Sequence, residues 1–442
     1  MQKTHCTAHR TFGSMIQSFP IPKIGILFLL GFCVGIFAQE QSDAFPVPLE
    51  LKPNVEFWIR LFTQYSKDEV IIHDKDSPLR IYAVISCKDE KGRPLSEKAR
   101  KEKISKARER IEKMLEKLCK EPSLNSDTLF SQLRGLFSDS VAPEEFCRAK
   151  ERIRTQTGLR ESFKEGLVRS GRYMPYIRER LSHYRFPEEL AYLPHVESSF
   201  NIEAKSKAGA VGMWQFARST GKLFLHITDE IDERKDPFLS TEAAIRLLKK
   251  NYEATGRWPL ALTAYQHGLA SVKKAMEKLG TSDLEKIIQY YDGENFGFAS
   301  KNFYAEFVAA VHVAKHASVY FPDVKPDPPL VWDTLVLPIS LSLEEIAHAF
   351  HVSQDSLLAL NPSFLTPIRK NHRPLPRGFS IRIPKGTDEI RGYQNLVAKG
   401  LLPRGAYRAW CSHFPREVFY YIEYLAPPKY NVTLKKSNGY FR

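Results

Sequence analysis

The stretch "LPHVESSFNIEAKSKAGAVGMWQF", residues 193–216, sets one carboxylate, Glu197, at the end of an apolar run and directly before a loop of small residues. An ionised carboxyl buried without a partner is costly. Leu190, Leu193 and Val196 fall on helix positions beside Glu197, and Trp214 and Phe216 are candidates to desolvate it. Desolvation disfavours the charged form and raises a carboxyl pKa. A raised pKa is what a general acid needs to protonate a poor leaving oxygen. Taken alone, Glu197 also fits a helix-end acid paired with a nearby Lys or Arg. Two further stretches belong with it, "ALTAYQHG" from Ala261 and "FGFASKNFYAEF" from Phe296. Glycosidases usually work with two carboxylates. We read no second acid of that kind in these motifs, and Glu203 reads as a solvated loop residue.

Together the three stretches resemble the lytic transglycosylases of glycoside hydrolase family 23, in the branch of the membrane-bound transglycosylase D type. The family pattern runs Glu-Ser, then Ala-x-Ser-x-x-Gly-Ala-x-Gly-Leu-x-Gln, then Ala-Tyr-Asn. Glu197-Ser198, Ala204, Ser206, Gly209-Ala210, Gly212-Met213 and Gln215 match in residue and spacing, with Met213 in place of Leu. The resemblance covers residues 163–316 and implies a lysozyme-like all-α domain whose partner is the peptidoglycan glycan strand. It implies that Glu197 protonates the oxygen between N-acetylmuramic acid and N-acetylglucosamine. The resulting carboxylate then deprotonates the sugar's own C6 hydroxyl, closing a 1,6-anhydro ring. Ser198 is placed near the leaving sugar, and Gly212, Met213, Gln215 and Tyr265 become substrate-side positions. Gly209 and Gly212 read as conformational, letting backbone approach substrate without a Cβ. For Tyr265 alone, core packing fits equally well, and Ser198 alone fits a turn cap. Where the family has Asn, Gln266 carries the same amide one methylene further out, while His267 reads as structural. The family's late tyrosine falls in "KNFY", at Phe303 or Tyr304; Tyr304 is chosen because only it has a hydroxyl. No cofactor or metal is expected.

A second resemblance covers residues 333–386. The segments "SLEEIAHAFHVSQDSLLALNPSF" and "LPRGFSIRIP", with Asn361-Pro362 and Gly378, resemble a LysM module. Such a module typically binds N-acetylglucosamine chains. Its usual Gly-Asp-Thr opening is Trp332-Asp333-Thr334 here, which implies weakened or lost binding.

With 442 residues, 43% hydrophobic and 26% charged, the chain has room for two or three domains and reads as globular rather than disordered. The formal net charge of +14 favours an anionic partner such as wall polymer or acidic lipid. No zinc-finger spacing, RNA-binding signature or Walker loop accompanies it, so nucleic acid is not expected. The apolar run at 24–38 is shorter than the ~20 residues a membrane span needs. With Lys23 before it and Ala38 at its end, it reads as a secretory signal over residues 1–38, with Met15 a natural start. Cys33 follows Phe32 and precedes more apolar residues, a poor lipidation pattern. The mature chain is therefore expected in the periplasm and cell envelope, with outer-membrane association left open. Cys87, Cys119, Cys147 and Cys411 allow three pairings, and the sequence selects none. Oligomeric state is not legible.

The elements that must position these groups read as mainly α. Residues 39–160 are mixed, with strand-like "VIIHD" and "LRIYAVI" followed by a charged amphipathic helix over 96–118. Residues 161–320 read as helix after helix, with Asp236 a cap before Pro237, and Pro187 where a helix begins. The proline-rich stretch 321–332 reads as a linker. The 333–386 module reads as βααβ with Ser342 and Ser353 as caps, and 387–442 as a basic extension without clear period. Two rival readings stay open. One is a goose-type lysozyme or chitinase-like hydrolase on the same fold, which admits water. The other is a catalytically impaired glycan-binding wall protein, suggested by Gln266 and the altered module opening.

Overall fold

The computed structural model describes residues 43–122, 128–138 and 140–402. The expected signal segment, Cys6, Cys33, Cys411 and the last part of the basic extension lie outside them. The chain divides into two units, Met1–Pro46 and Val47–Arg442, and every element described belongs to the second.

Helix α1 (Lys52–Thr63) precedes β1 (Glu69–Asp74) and β2 (Ile81–Ser86), the two strands expected from the sequence. Helix α2 (Glu97–Lys120) starts where Ser96 accepts a hydrogen bond from the Ala99 N–H. Its outer face carries i,i+4 pairs such as Glu102–Lys106 and Glu109–Lys113, so its charges are a solvated face. Short α3 (Thr128–Arg134) and α4 (Pro143–Glu151) lead into β3 (Ile153–Thr157), a strand the sequence reading missed. "IRTQT" has one apolar residue and no alternation; it is a strand because buried β1 offers a second edge. The antiparallel order is β2-β1-β3. Ile72, Ile111, Leu115, Leu118, Phe146 and Ala149 form the core beneath it. A disulfide between Cys119 and Cys147 joins α2 to α4, and among the described residues Cys87 is a buried free thiol.

The central part runs α5 (Arg160–Ser170), α6 (Met174–His183), a 3₁₀ turn (Glu188–Tyr192), α7 (Leu193–Ser198), α8 (Arg218–Gly221), α9 (Pro237–Thr255), α10 (Trp258–His267), α11 (Leu269–Leu279), α12 (Leu284–Tyr290), α13 (Phe298–Lys315) and α14 (Ala317–Tyr320). Asp236 caps α9, its carboxylate accepting from the Phe238 and Leu239 N–H groups at 3.0 and 2.9 Å. Pro187 instead precedes the 3₁₀ turn, a correction to the expected α-helix start. Helix α13 is the centre of this part, with α1, α7, α10 and the 3₁₀ turn packed on it. A hydrogen bond from Asn54 Nδ2 to Asn302 Oδ1, at 2.9 Å, fastens α1 to α13.

The proline-rich stretch is not a free tether. The Asp327 N–H donates to the Val168 carbonyl at 2.9 Å, the Leu330 N–H donates to that of Arg172 at 3.1 Å, and Arg172 pairs with Asp327. Beyond it come β4 (Trp332–Val336), α15 (Leu343–Phe350), α16 (Gln354–Leu360), α17 (Thr366–Arg369), β5 (Ser380–Pro384) and α18 (Glu389–Ala398). Ser342 and Ser353 cap α15 and α16, the first in a capping box with Glu345. The strands pair antiparallel, Thr334 opposite Arg382. Helix α18 corrects the reading of residues from 387 onward. It starts at an Asp388 cap and buries Tyr393 and Leu396 among Leu335, Ile346, Phe350 and Ile381.

This C-terminal module is seated on residues 230–238. The Asp232 N–H donates to Ser363 O at 2.8 Å, and the Leu365 N–H donates to Glu230 O at 2.9 Å. The Arg382 guanidinium pairs with Asp236 and lies over the Phe238 and Trp332 rings.

Candidate active site

Glu197 is the penultimate residue of α7, part-exposed beside fully buried Leu190, Leu193 and Trp214. Burial pushes its carboxyl up to about 8, and no basic group among the described residues offsets that shift. The negative end of the α7 dipole acts in the same direction. The alternative of a helix-end acid paired with Lys or Arg is therefore not what the fold makes. Helix α7 stops abruptly because Ser199 and Phe200 adopt successive positive φ angles, 51° and 57°. The Arg169 Nε donates to the Ser199 carbonyl at 3.0 Å and holds that turn.

The loop after α7 is held closed by the polar groups that the sequence placed on the substrate side. Ser198 Oγ donates to Met213 O at 2.7 Å, and Tyr265 Oη donates to Trp214 O at 2.7 Å. Gln215 Nε2 donates to Gly212 O at 2.8 Å and to Ala204 O at 3.3 Å. The Met213 side chain is fully buried. The buried Trp214 indole N–H donates to Thr241 Oγ1 at 2.9 Å, tying the loop to α9. Arg234, itself buried against Asp232, donates through one Nη1 to the carbonyls of Phe216 and Gly209 at 3.2 and 3.3 Å.

Gly212 has φ +85°, and a Cβ there would lie 1.9 Å from the Arg234 carbonyl oxygen. Its close neighbour is thus protein backbone, a correction to the substrate approach expected from sequence. Gly212→Ala should lower stability by more than about 2 kcal/mol, since a backbone clash adds to left-handed strain of ~1–2 kcal/mol. Gly209 has φ +82° with nothing within 4 Å, so Gly209→Ala should cost only the strain. Denaturant midpoints of the two variants check this; equal losses would contradict it.

Of the remaining sequence candidates, Gln266 is exposed on α10, next to part-exposed Tyr265. Burial and the Glu197 charge both raise the Tyr265 hydroxyl, which keeps its proton. His267 is structural as expected, with its ring nitrogens hydrogen-bonded to Ser271 and Ser300 at 2.7 and 2.9 Å. Tyr304 departs from expectation. It is buried on α13, and its charged neighbour is Glu285, near the start of α12, rather than Glu197.

The group on α13 that shares the field of Glu197 is Glu306, two residues on and roughly 200° further round the helix. Burial, then the Glu197 charge, pushes its carboxyl up to about 8. This corrects the reading that the motifs hold no second acid. The signal was present: Glu306 is the only acid between Lys301 and Lys315, in an otherwise apolar helix.

Residues 175–288 match the family described as Transglycosylase SLT domain. The curated relatives include "Membrane-bound lytic murein transglycosylase D" from Escherichia coli strain K12 and the protein of the same name from an Escherichia coli O6:H1 strain. Each is 38% identical over 112 residues, 25% of this chain and 25% of the relative. The likeness thus spans about a quarter of the length of those relatives. Glu197, the closed loop, Tyr265 and Gln266 all lie inside the SLT match, whereas Tyr304, Glu306 and the C-terminal module lie beyond it. Among the described residues no helix is long and apolar enough to cross a membrane.

Proposed function

We propose that this chain is a peptidoglycan lytic transglycosylase of the cell envelope. It cleaves the β-1,4 bond between N-acetylmuramic acid and N-acetylglucosamine and leaves 1,6-anhydro-muramoyl ends. The observation that carries this reading is Glu197: a carboxyl held protonated near neutral pH by burial, at the edge of a loop with SLT-type spacing. The protonated Glu197 gives its proton to the glycosidic oxygen as the C1–O bond breaks, and positive charge develops at C1. The Glu197 carboxylate then takes the proton of the C6 hydroxyl while O6 bonds to C1. The acid is regenerated and no water is consumed. Ser198, Gly212, Met213, Gln215 and Tyr265 serve by fixing the loop against Glu197. Purified chain incubated with sacculi should release soluble muropeptides; no release from a folded, monodisperse preparation would sink the reading.

Gln266 is the proposed contact to an N-acetyl group, because its amide is exposed beside Tyr265. Gln266→Ala should raise KM about 2- to 10-fold, the equivalent of one hydrogen bond of ~0.5–1.5 kcal/mol. Its melting temperature should not move. Unchanged steady-state kinetics on soluble glycan fragments would remove Gln266 from the groove.

A hydrolase is the second reading, favoured by one observation: Glu306, whose carboxyl is raised by desolvation and by the Glu197 charge, would supply with Glu197 the two carboxyls that water-using glycosidases employ.

A further inference from the structure

Residues 302–305 and 307–310 of α13 are all buried, while Glu306 between them is part-exposed. Its neighbours along the same face, Asn302, Phe303, Ala309 and Ala310, are among the buried ones. The opening at Glu306 is therefore a gap between the helices packed on α13, not an outer surface. Helix α7, which carries Glu197, and α10, which carries Tyr265, are two of those helices. Glu197 and Tyr265 are part-exposed as well. These three side chains thus stand on α13 and on two helices packed against it, with the charge of Glu197 acting on Glu306.

We propose that Glu306 is the second carboxyl of the active site, and that it and Glu197 hold one proton between them, so that a protonated acid persists for the glycosidic oxygen. This rests on the lytic transglycosylase or related glycosidase reading given above. Two like charges in one desolvated opening cannot both form cheaply, so the pair loses its protons in two separated steps. After the first loss, one carboxyl is still protonated. The reaction then tolerates alkaline pH further than a single buried acid would.

The other elements packed on α13 do not supply a competing charge. Glu56 and Arg60 of α1 pair with each other, and Lys52 is exposed at its start. In the 3₁₀ turn, Glu188 pairs with Arg178 and Glu189 with Lys315. From α7, His195 is fully buried and held neutral, its ring pushed down to about 3. From α10, His267 is lowered by burial, and Tyr265 stays protonated. Tyr320 of α14 is hydrogen-bonded to His312.

The test is the pH profile of kcat/KM on soluble glycan fragments for the full chain, with Glu306→Gln and Glu306→Asp. The amide keeps shape and polarity but cannot ionise. Glu306→Gln should move the alkaline limb down by roughly one pH unit, the coupling expected of interacting carboxyls. Glu306→Asp should keep the limb near its wild-type position. An unchanged limb in Glu306→Gln would overturn the proposal. Complete loss of activity in a folded Glu306→Gln, with Glu306→Asp active, would also overturn it by making Glu306 a proton donor or base in its own right. Both outcomes presuppose an active wild type, so neither is confused with failure of the proposed function.

Discussion

Glu197→Gln should lower turnover on soluble glycan fragments by about 10²–10⁴-fold, the usual worth of a positioned proton donor. The loss sits at the upper end if, as proposed, one carboxyl performs both proton transfers. The substitution is nearly isosteric, and the uncharged amide replaces a carboxyl that is itself neutral at the start of the reaction. Folding should therefore survive, and stability shows the opposite trend to activity. The folded carboxyl titrates at about 8 against an ordinary value of 4.5, so the native state binds more protons than the unfolded chain between those values. Wild-type stability then falls as pH rises through that window. Glu197→Gln should match the wild-type melting temperature at pH 4 and exceed it at pH 8. A variant with more than half of wild-type turnover would remove Glu197 as the acid, and an unchanged difference across pH would contradict its buried, protonated state.

Removing the C-terminal module should be nearly as damaging. Read as a linker, 321–332 lets a chain ending near Lys325 keep its turnover on soluble fragments, provided the helical domain folds without the tail; the contacts of the module bear on that proviso. Such a chain loses Arg382 from Asp236, which is 2% exposed and caps α9. It also loses the backbone bonds from Ser363 and Leu365 to the segment that carries Arg234. Arg234 and Thr241 in turn hold the loop beside Glu197. Breaking one partner of a buried pair costs about 3–5 kcal/mol, against ~0–1 for an exposed pair such as Lys164–Asp323. Arg382→Met in the full chain should thus lower stability by several kcal/mol, and the truncated chain should lose most of its turnover. A truncated chain with wild-type kcat and melting temperature would show that the module is an independent arm.

The parts of the fold legible in the sequence are those set by local chemistry. Asp236, Ser342 and Ser353 announce their helices because a cap acts within three residues. Glu197 and its loop were legible through residue spacing. Strand β3 was not, because its pairing depends on β1, some eighty residues earlier. The roles of Ser198, Gln215 and Tyr265 were half legible: their polarity marks the site, but only the fold shows their donors spent on loop carbonyls. The seating of Arg382 on Asp236 joins residues 146 apart, beyond the reach of any local pattern. Glu306 was missed for a different reason. A lone acid in a largely apolar stretch is the same signal that exposed Glu197, and it stood inside "FGFASKNFYAEF", but no local spacing ties it to Glu197 in a distant part of the chain.

The central claim, proton transfer by Glu197 with ring closure by the sugar's own hydroxyl, is tested most directly by the masses of the released muropeptides. The account predicts muramoyl ends lighter by one water than free reducing ends, from wild-type chain acting on purified sacculi. Products carrying the full mass of a reducing end would contradict it and assign the chain to the hydrolases.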